Sequence, residues 1–388
     1  MTNFLRRTWA EIDESALIHN FKIIKETASS PVCAVVKANA YGHNVNIVAP
    51  LLQKAGADFF AVSNIDEAVE LREIGITKPI LILGYTPCEY AQELCKHNIS
   101  QCIYSLDYAQ ELSQNAIKNN LTINIHLKLD TGMSRIGFDC RDDNLNGIND
   151  AIKSAKLGGF KLEGVFTHFA VSDRNELQED GFTDCQYNRF TKAIDALKSD
   201  GLTPEICHCS NSAALCQDTD KYLDMCRAGI VLYGLTPSSD LKLPQDFIPV
   251  MSFKSIVSQV KQINAGDTVS YGRTFKAEKT ITVATISCGY ADGYPRLLSN
   301  KGYVIINGQK ANIIGRVCMD QFCVDVSNIS NVKRGDEVLL WGKELPVEEL
   351  ADMIGTINYE LVCGVSSRVK RIKIYEFVSN TKSGNKAR

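Results

Sequence analysis

The sequence predicts an α/β protein, an N-terminal (β/α)8 barrel over residues 1–244 followed by a β-rich domain over 245–388. Three observations lead there. From residue 31 to about 235, eight short apolar runs alternate with longer amphipathic segments. No G-x-G-x-x-G follows the first run, as an open dinucleotide-binding sheet would have it. Beyond Pro237 the texture becomes strand-rich.

The eight runs, read as barrel strands, are "VCAVVK" at 32, "DFFAVS" at 58, "PILILG" at 79, "QCIYSL" at 101, "INIHLKL" at 123, "LEGVFTHF" at 162, "EICHCS" at 205 and "GIVLYG" at 229. Helical patterns lie between most of them. In "NIDEAVELREIG", Asn64 is placed to cap the helix and Gly75 to stop it. The segment "SSDLKLPQDFIP" reads as a polar connector. After it come strand patterns in "SFKSIVSQVKQI", "KTITVATIS" and "YVIINGQKANII", the last with Asn307-Gly308 as a type I′ hairpin turn. "RGDEVLLWG" continues the strands, and "VEELADMIG" supplies a short helix.

Composition narrows the function. With 388 residues, 45% apolar and a formal charge of -3, the chain has no basic surplus for nucleic acid. No apolar run approaches the roughly 20 residues of a membrane helix. "MTNFLRRTWAEIDESAL" lacks the apolar centre of a signal peptide, so a cytoplasmic location is expected. The 14 cysteines then read as reduced, small buried hydrophobes. "CHCSN" carries no expectation of a metal, because alternation along a strand turns His208 away from Cys207 and Cys209.

The active site of such a barrel lies at the carboxyl ends of its strands. The polar residues expected there are Lys37 after the first strand, Lys128 and Asp130 on the fifth with "TGMSR" behind them, and His168 on the sixth. The seventh contributes Ser210-Asn211-Ser212, and Arg227 precedes the eighth. Any one of these could be an ordinary strand-end polar group; their convergence points to chemistry. Barrels often seat a phosphate at the last two connections, on backbone N–H groups and a short helix amino end. There Ser212 is placed to cap such a helix and Gly229 to allow close backbone approach. A phosphate seat plus a strand-end lysine fits a phosphorylated aldehyde held as an imine, which is pyridoxal 5'-phosphate. Arg227 facing the pyridine nitrogen would leave it unprotonated, since a guanidinium donates but does not give up its proton.

These residues bring a family into view. The segments "AVVKANAYGH", "HLKLDTGMSRIGF", "THFA", "SNSAA", "RAGIVLYG", "VSYGRTF", "GYADGYPR", "GRVCMDQ" and "INYE" occur in the order found in the bacterial alanine racemases, fold-type III pyridoxal phosphate enzymes that the chain resembles over nearly its whole length. Asn44 stands where glycine is usual and Lys370 where proline is common; neither replaces a functional residue.

The resemblance implies roles. Lys37 would carry the cofactor and act as base on the D face of the substrate, and Tyr271 as base on the L face. Tyr41, Ser212, Gly229, Ile230 and Tyr359 would hold the cofactor phosphate, Asn211 would also bind the cofactor, and Arg227, with His168 reaching toward it, would meet the pyridine nitrogen. Arg135 would bind the cofactor phenolic oxygen and the substrate carboxylate, oriented by Lys128 in carbamylated form. Met319 and Tyr290 of one subunit would complete the other's site, which implies a homodimer with shared active sites. The implied activity is interconversion of L- and D-alanine, supplying D-alanine for peptidoglycan. Inverting a carbon takes a proton from one face and returns one to the other, hence two bases. A tyrosine, with a solution pKa of about 10, needs cationic or hydrogen-bonding neighbours to serve as one.

Serine is the competing substrate, and a broad-specificity racemase the nearest alternative. A pyridoxal phosphate decarboxylase of basic amino acids would favour a carboxylate where Arg227 stands. A lone-barrel cofactor carrier would lack the β domain, and an imine-forming aldolase would lack the cofactor.

Overall fold

The computed structural model describes residues 6–173, 181–217, 221–238, 240–241, 243 and 247–376. The expected connector at 238–249 therefore lies partly outside the described residues.

Residues 20–247 with 357–363 form one compact unit. Its eight barrel strands are Val32–Val35, Phe59–Val62, Ile80–Ile82, Ile99–Ile103, Ile123–Asp130, Phe160–Phe166, Ile206–His208 and Cys226–Ala228. All are parallel, each pairing with its sequence neighbour, and the eighth returns to the first through Cys226↔Val32 and Ala228↔Ala34. Only the seam between seventh and eighth lacks a ladder. It is bridged by Arg227 N–H to the Ser210 carbonyl at 3.2 Å and by Cys207 N–H to the Asp224 carboxylate at 2.8 Å. Residues of the first four strands are buried throughout, as a parallel sheet covered on both faces requires.

The helix Ile65–Glu73 starts and stops as its sequence directs. Asn64 Oδ1 accepts from Glu67 N–H at 3.0 Å, and Gly75 takes a φ of 90° just past the end. One strand differs from expectation. "GIVLYG" is not the eighth strand: Ile230–Tyr233 is a buried 3-10 turn, and the strand is the preceding Cys226–Ala228. A short apolar run satisfies burial in either form, so its pattern cannot separate them.

The second unit comprises, among the described residues, 6–19, 248–356 and 364–376. Residues 6–19 thus group with the β-rich part, and 357–363 with the barrel. The 13-residue strand Met251–Ile263 pairs with Glu337–Trp341 through its first half and Ile281–Ile286 through its second. With Phe322–Asp325, Gln309–Ile314 and Tyr303–Ile306, this closes six strands into a ring. Thr8–Asp13 and Lys370–Ile374 extend it. Residues 251–257 alternate buried and half-buried, the period of a strand with one face on a core. Trp341, Phe253, Tyr294 and Phe322 fill that core. Asn307 and Gly308 have φ of 51° and 73°, the two left-handed residues of the expected hairpin turn. The helix Val347–Ile354 lies where expected.

Candidate active site

A cavity of about 660 Å³ opens in the barrel unit, lined by Lys37, Lys128, Arg135, His168, Arg227 and Tyr359 among others. Tyr41, Asn211, Ser212, Gly229 and Ile230 line it too. The structure brings these candidates to one cavity but not Asp130, whose carboxylate accepts from Gly132 and Ser134 N–H, nor Ser210, whose hydroxyl donates to the Lys221 carbonyl.

Lys37 leaves the first strand into an unusual turn. Ala38, Asn39, Ala40 and Tyr41 all have φ between 50° and 55°, one turn of left-handed helix. Each L-residue there costs roughly 1–2 kcal/mol. Offsetting bonds come from Ala38 N–H to Glu67 Oε1 at 2.7 Å, Val45 N–H to Asn39 Oδ1 at 2.7 Å and the His43 ring to the Tyr41 carbonyl at 2.8 Å. Gly42 is required after it: with φ 79°, a Cβ would fall 2.0 Å from the Val362 carbonyl oxygen. Asn44, the departure from the family pattern, has φ 74° and caps the next helix by accepting from Asn46 N–H. Asparagine is among the residues that tolerate this region, which accounts for its fitness there.

Burial, then the Arg135 charge, lowers the Lys37 pKa, favouring the neutral, nucleophilic amine. Burial, then Arg227, brings Lys128 down to about 7. Lys128 Nζ donates to the Leu129 carbonyl at 3.3 Å and sits 5.1 Å over the Phe166 ring.

Opposite, a small cradle forms. Gly229 N–H donates to Ser212 Oγ at 2.8 Å, and a Cβ on Gly229 would lie 2.9 Å from the Tyr41 hydroxyl and 3.3 Å from Ser212 Oγ. The Tyr41 ring packs on Tyr233 and Tyr359. Burial pushes both the Tyr41 and Tyr359 phenols up, so each stays a neutral donor. The helix Ser212–Gln217 is capped not by Ser212 but by Asn211, whose Oδ1 accepts from Ala213 and Ala214 N–H at 3.1 Å each. Ser212 is thereby free to serve Gly229.

Arg227 is buried and held from four sides. It donates to His208 Nδ1 at 2.8 Å, to the Thr167 and Cys209 carbonyls at 2.9 Å each, and to His168 Nδ1 at 3.3 Å. His208 in turn reaches His126 Nδ1 at 3.0 Å, and His126 Nε2 reaches Glu163 Oε2 at 2.9 Å. Gly164 makes room, since a Cβ there would lie 2.4 Å from the His126 ring. Burial first, then the Arg227 charge, drives His168 and His208 well below their ordinary 6.5. Sequence reading missed His126, Glu163 and the role of His208. The one signal was alternation in "EICHCS", which set His208 apart from its cysteine neighbours without saying what it meets.

Tyr271, Tyr290 and Met319 belong to the β-rich unit and are exposed, at 71%, 43% and 52%. Tyr271 and Met319 line one hollow with Ser270 and Cys318.

A parallel barrel that gathers lysines, guanidinium groups and a hydroxyl-lined opening into one cavity has the layout of an enzyme acting on small molecules. The alanine racemase N-terminal domain family matches residues 12–237 and the alanine racemase C-terminal domain family residues 250–373. An alanine racemase of Clostridium perfringens is 44% identical over 374 residues, 95% of each chain. One of Desulfovibrio desulfuricans is 44% identical over 377 residues, 96% of this chain and 100% of the other. Among solved structures, alanine racemase of Clostridium difficile 630 superposes with a TM-score of 0.88 at 39% identity, covering 96% and 97% of the two chains. That of Bacillus anthracis with bound L-Ala-P gives 0.88 at 35%, covering 97% of each. The chain belongs to the alanine racemase family, whose members are amino-acid racemases.

Proposed function

We propose that this enzyme interconverts L- and D-alanine by a two-base mechanism with pyridoxal 5'-phosphate, as a cytoplasmic homodimer supplying D-alanine for peptidoglycan. The observation that carries the reading is the single cavity joining Lys37 to four further elements of recognition: Arg227, Arg135, Lys128 and the Gly229–Ser212–Tyr41 cradle.

The residues fit that cofactor. The absence of a Cβ at Gly229 leaves an opening beside two hydroxyls, suited to phosphate oxygens, with Asn211, Ile230 and Tyr359 around it. The lysine amine is the attachment point. When bound, the cofactor supplies a conjugated system that accepts electron density from the substrate α-carbon.

The chain's own residues do the rest. Lys37 Nζ takes or returns the proton on one face, burial and the Arg135 charge favouring its neutral, accepting form. Tyr271 of the partner subunit serves the other face. Arg135 fixes the substrate carboxylate, and Lys128, carbamylated, would give Arg135 a negative partner among the surrounding cations. Arg227, locked by His208 and His168, offers a donor that cannot surrender its proton. Met319 and Tyr290 narrow the entrance to a small side chain, with serine the competitor.

Mixing Lys37→Ala and Tyr271→Phe subunits tests the reading. Each variant alone should be nearly inactive. Hybrid dimers should regain about half of parental turnover, because one of their two sites has both bases intact. No recovery from verified hybrids, or a Lys37→Ala enzyme that still racemises, would refute it.

A further inference from the structure

Within the β-rich unit, two loops carry the residues assigned to the substrate entrance: 289–294 with Tyr290, and 318–321 with Met319. They are zipped together by backbone. Tyr290 N–H donates to the Cys318 carbonyl and Ala291 N–H to the Met319 carbonyl, each at 3.0 Å. Gly289 sits so close that a Cβ would lie 2.3 Å from both carbonyl oxygens.

Below this junction lies a four-residue ion network. The Asp292 carboxylate, 1% exposed, accepts from Arg7 Nη1 at 2.9 Å, Arg7 Nη2 at 3.1 Å, Arg368 Nε at 2.7 Å and Gly289 N–H at 2.9 Å. That fills the acceptor sites of both oxygens. Arg368 also reaches Asp320 Oδ1 at 2.5 Å, and Arg7 the Asp320 carbonyl at 3.2 Å. Two guanidinium groups thus tie Asp292 on one loop to Asp320 on the other. Burial alone would raise the Asp292 carboxyl, and the hydrogen bonds from Arg368 and Arg7 more than reverse that. A surface ion pair contributes little, but a planar fork bonded to two carboxylates fixes direction as well as distance.

We infer that Asp292, clamped by Arg7 and Arg368, is a positioning residue that sets the turn presenting Met319, and with it the entrance for substrate. This rests on the proposed reading that Met319 and Tyr290 meet the substrate of the partner subunit. The network touches no reacting atom and acts only through the loop.

Steady-state kinetics with Asp292→Asn tests this. An asparagine amide would turn N–H groups toward Arg7 or Gly289, setting donor against donor. The expected result is a KM for alanine raised roughly ten- to a hundredfold with kcat held within about threefold. Absorbance of the bound cofactor and the dimeric mass should be unchanged. Arg368→Gln should act in the same direction and carries the test should Asp292→Asn not fold; Arg368→Lys, keeping one of the two carboxylate contacts, should fall between. In a Met319→Ala background, Asp292→Asn should add no further change in KM. An unaltered KM with only a lower melting temperature, dissociation at assay concentration, or full additivity with Met319→Ala would overturn the inference. If Met319→Ala alone leaves KM at the parental value, the entrance reading itself fails, a result separate from any outcome at Asp292.

Discussion

Arg227 donates to His208 Nδ1 across 2.8 Å, and since a guanidinium has no acceptor, that bond fixes the tautomers behind it. His208 must carry its proton on Nε2, which donates to His126 Nδ1; His126 then carries its own on Nε2 and donates to Glu163. The chain runs one way, from cation to carboxylate.

His126→Leu should interrupt it. The buried His208 Nε2–H would lose its partner, costing about 1–3 kcal/mol, while Glu163 Oε2 would keep the Ser100 hydroxyl. Thermal unfolding should show a lower midpoint, and a variant as stable as the parent would argue that the chain contributes nothing.

The pH dependence has a definite sign. His168 and His208 stay neutral in the fold below the pH at which the unfolded chain binds protons, their ordinary 6.5. Unfolding therefore takes up protons on the acid side. Stability from these groups is complete above about 6.5 and declines as the pH falls below it. The unfolding midpoint should drop between pH 7 and pH 5, with the slope reduced in His208→Asn; a flat parental profile would contradict the buried, neutral assignment.

Lys128, brought to about 7, is substantially unprotonated at neutrality, the form that adds carbon dioxide. Protein equilibrated with carbon-13 bicarbonate should show one carbamate carbonyl resonance that disappears in Lys128→Met. Removal of bicarbonate should raise KM for alanine. Absence of the resonance would leave Lys128 a plain buried amine.

The left-handed turn gives a prediction of opposite direction. At Ala38, glycine removes the steric cost of a φ near 52°, partly cancelled by its greater unfolded freedom. Ala38→Gly should stabilise by about 0.5–1 kcal/mol, read as a higher melting temperature, and Ala38→Val should destabilise.

Much of this was written locally. Lys37 ends a valine-rich run, Asn64 and Gly75 bracket a helix, and Asn307-Gly308 fixes a hairpin, because each signal acts over a few residues. What stayed hidden depends on distant partners. Nothing near Trp9 says that its strand joins Lys254 and Lys370 in a sheet hundreds of residues away. His126 and Glu163 each look like ordinary strand polar residues until the barrel places them beside His208. "GIVLYG" failed for a different reason: burial satisfied it as a turn.

The place of Thr8–Asp13 between Met251–Ile263 and Lys370–Ile374 also has a consequence for synthesis. This strand is translated before either of its partners, and the earlier of them emerges some 240 residues later, on the order of 10–50 s at ribosomal speed. Throughout that wait the barrel segment is being completed while the strand's edge has nothing to pair with. The nascent chain should therefore meet holding chaperones at this strand, and crowded expression should lose protein there first.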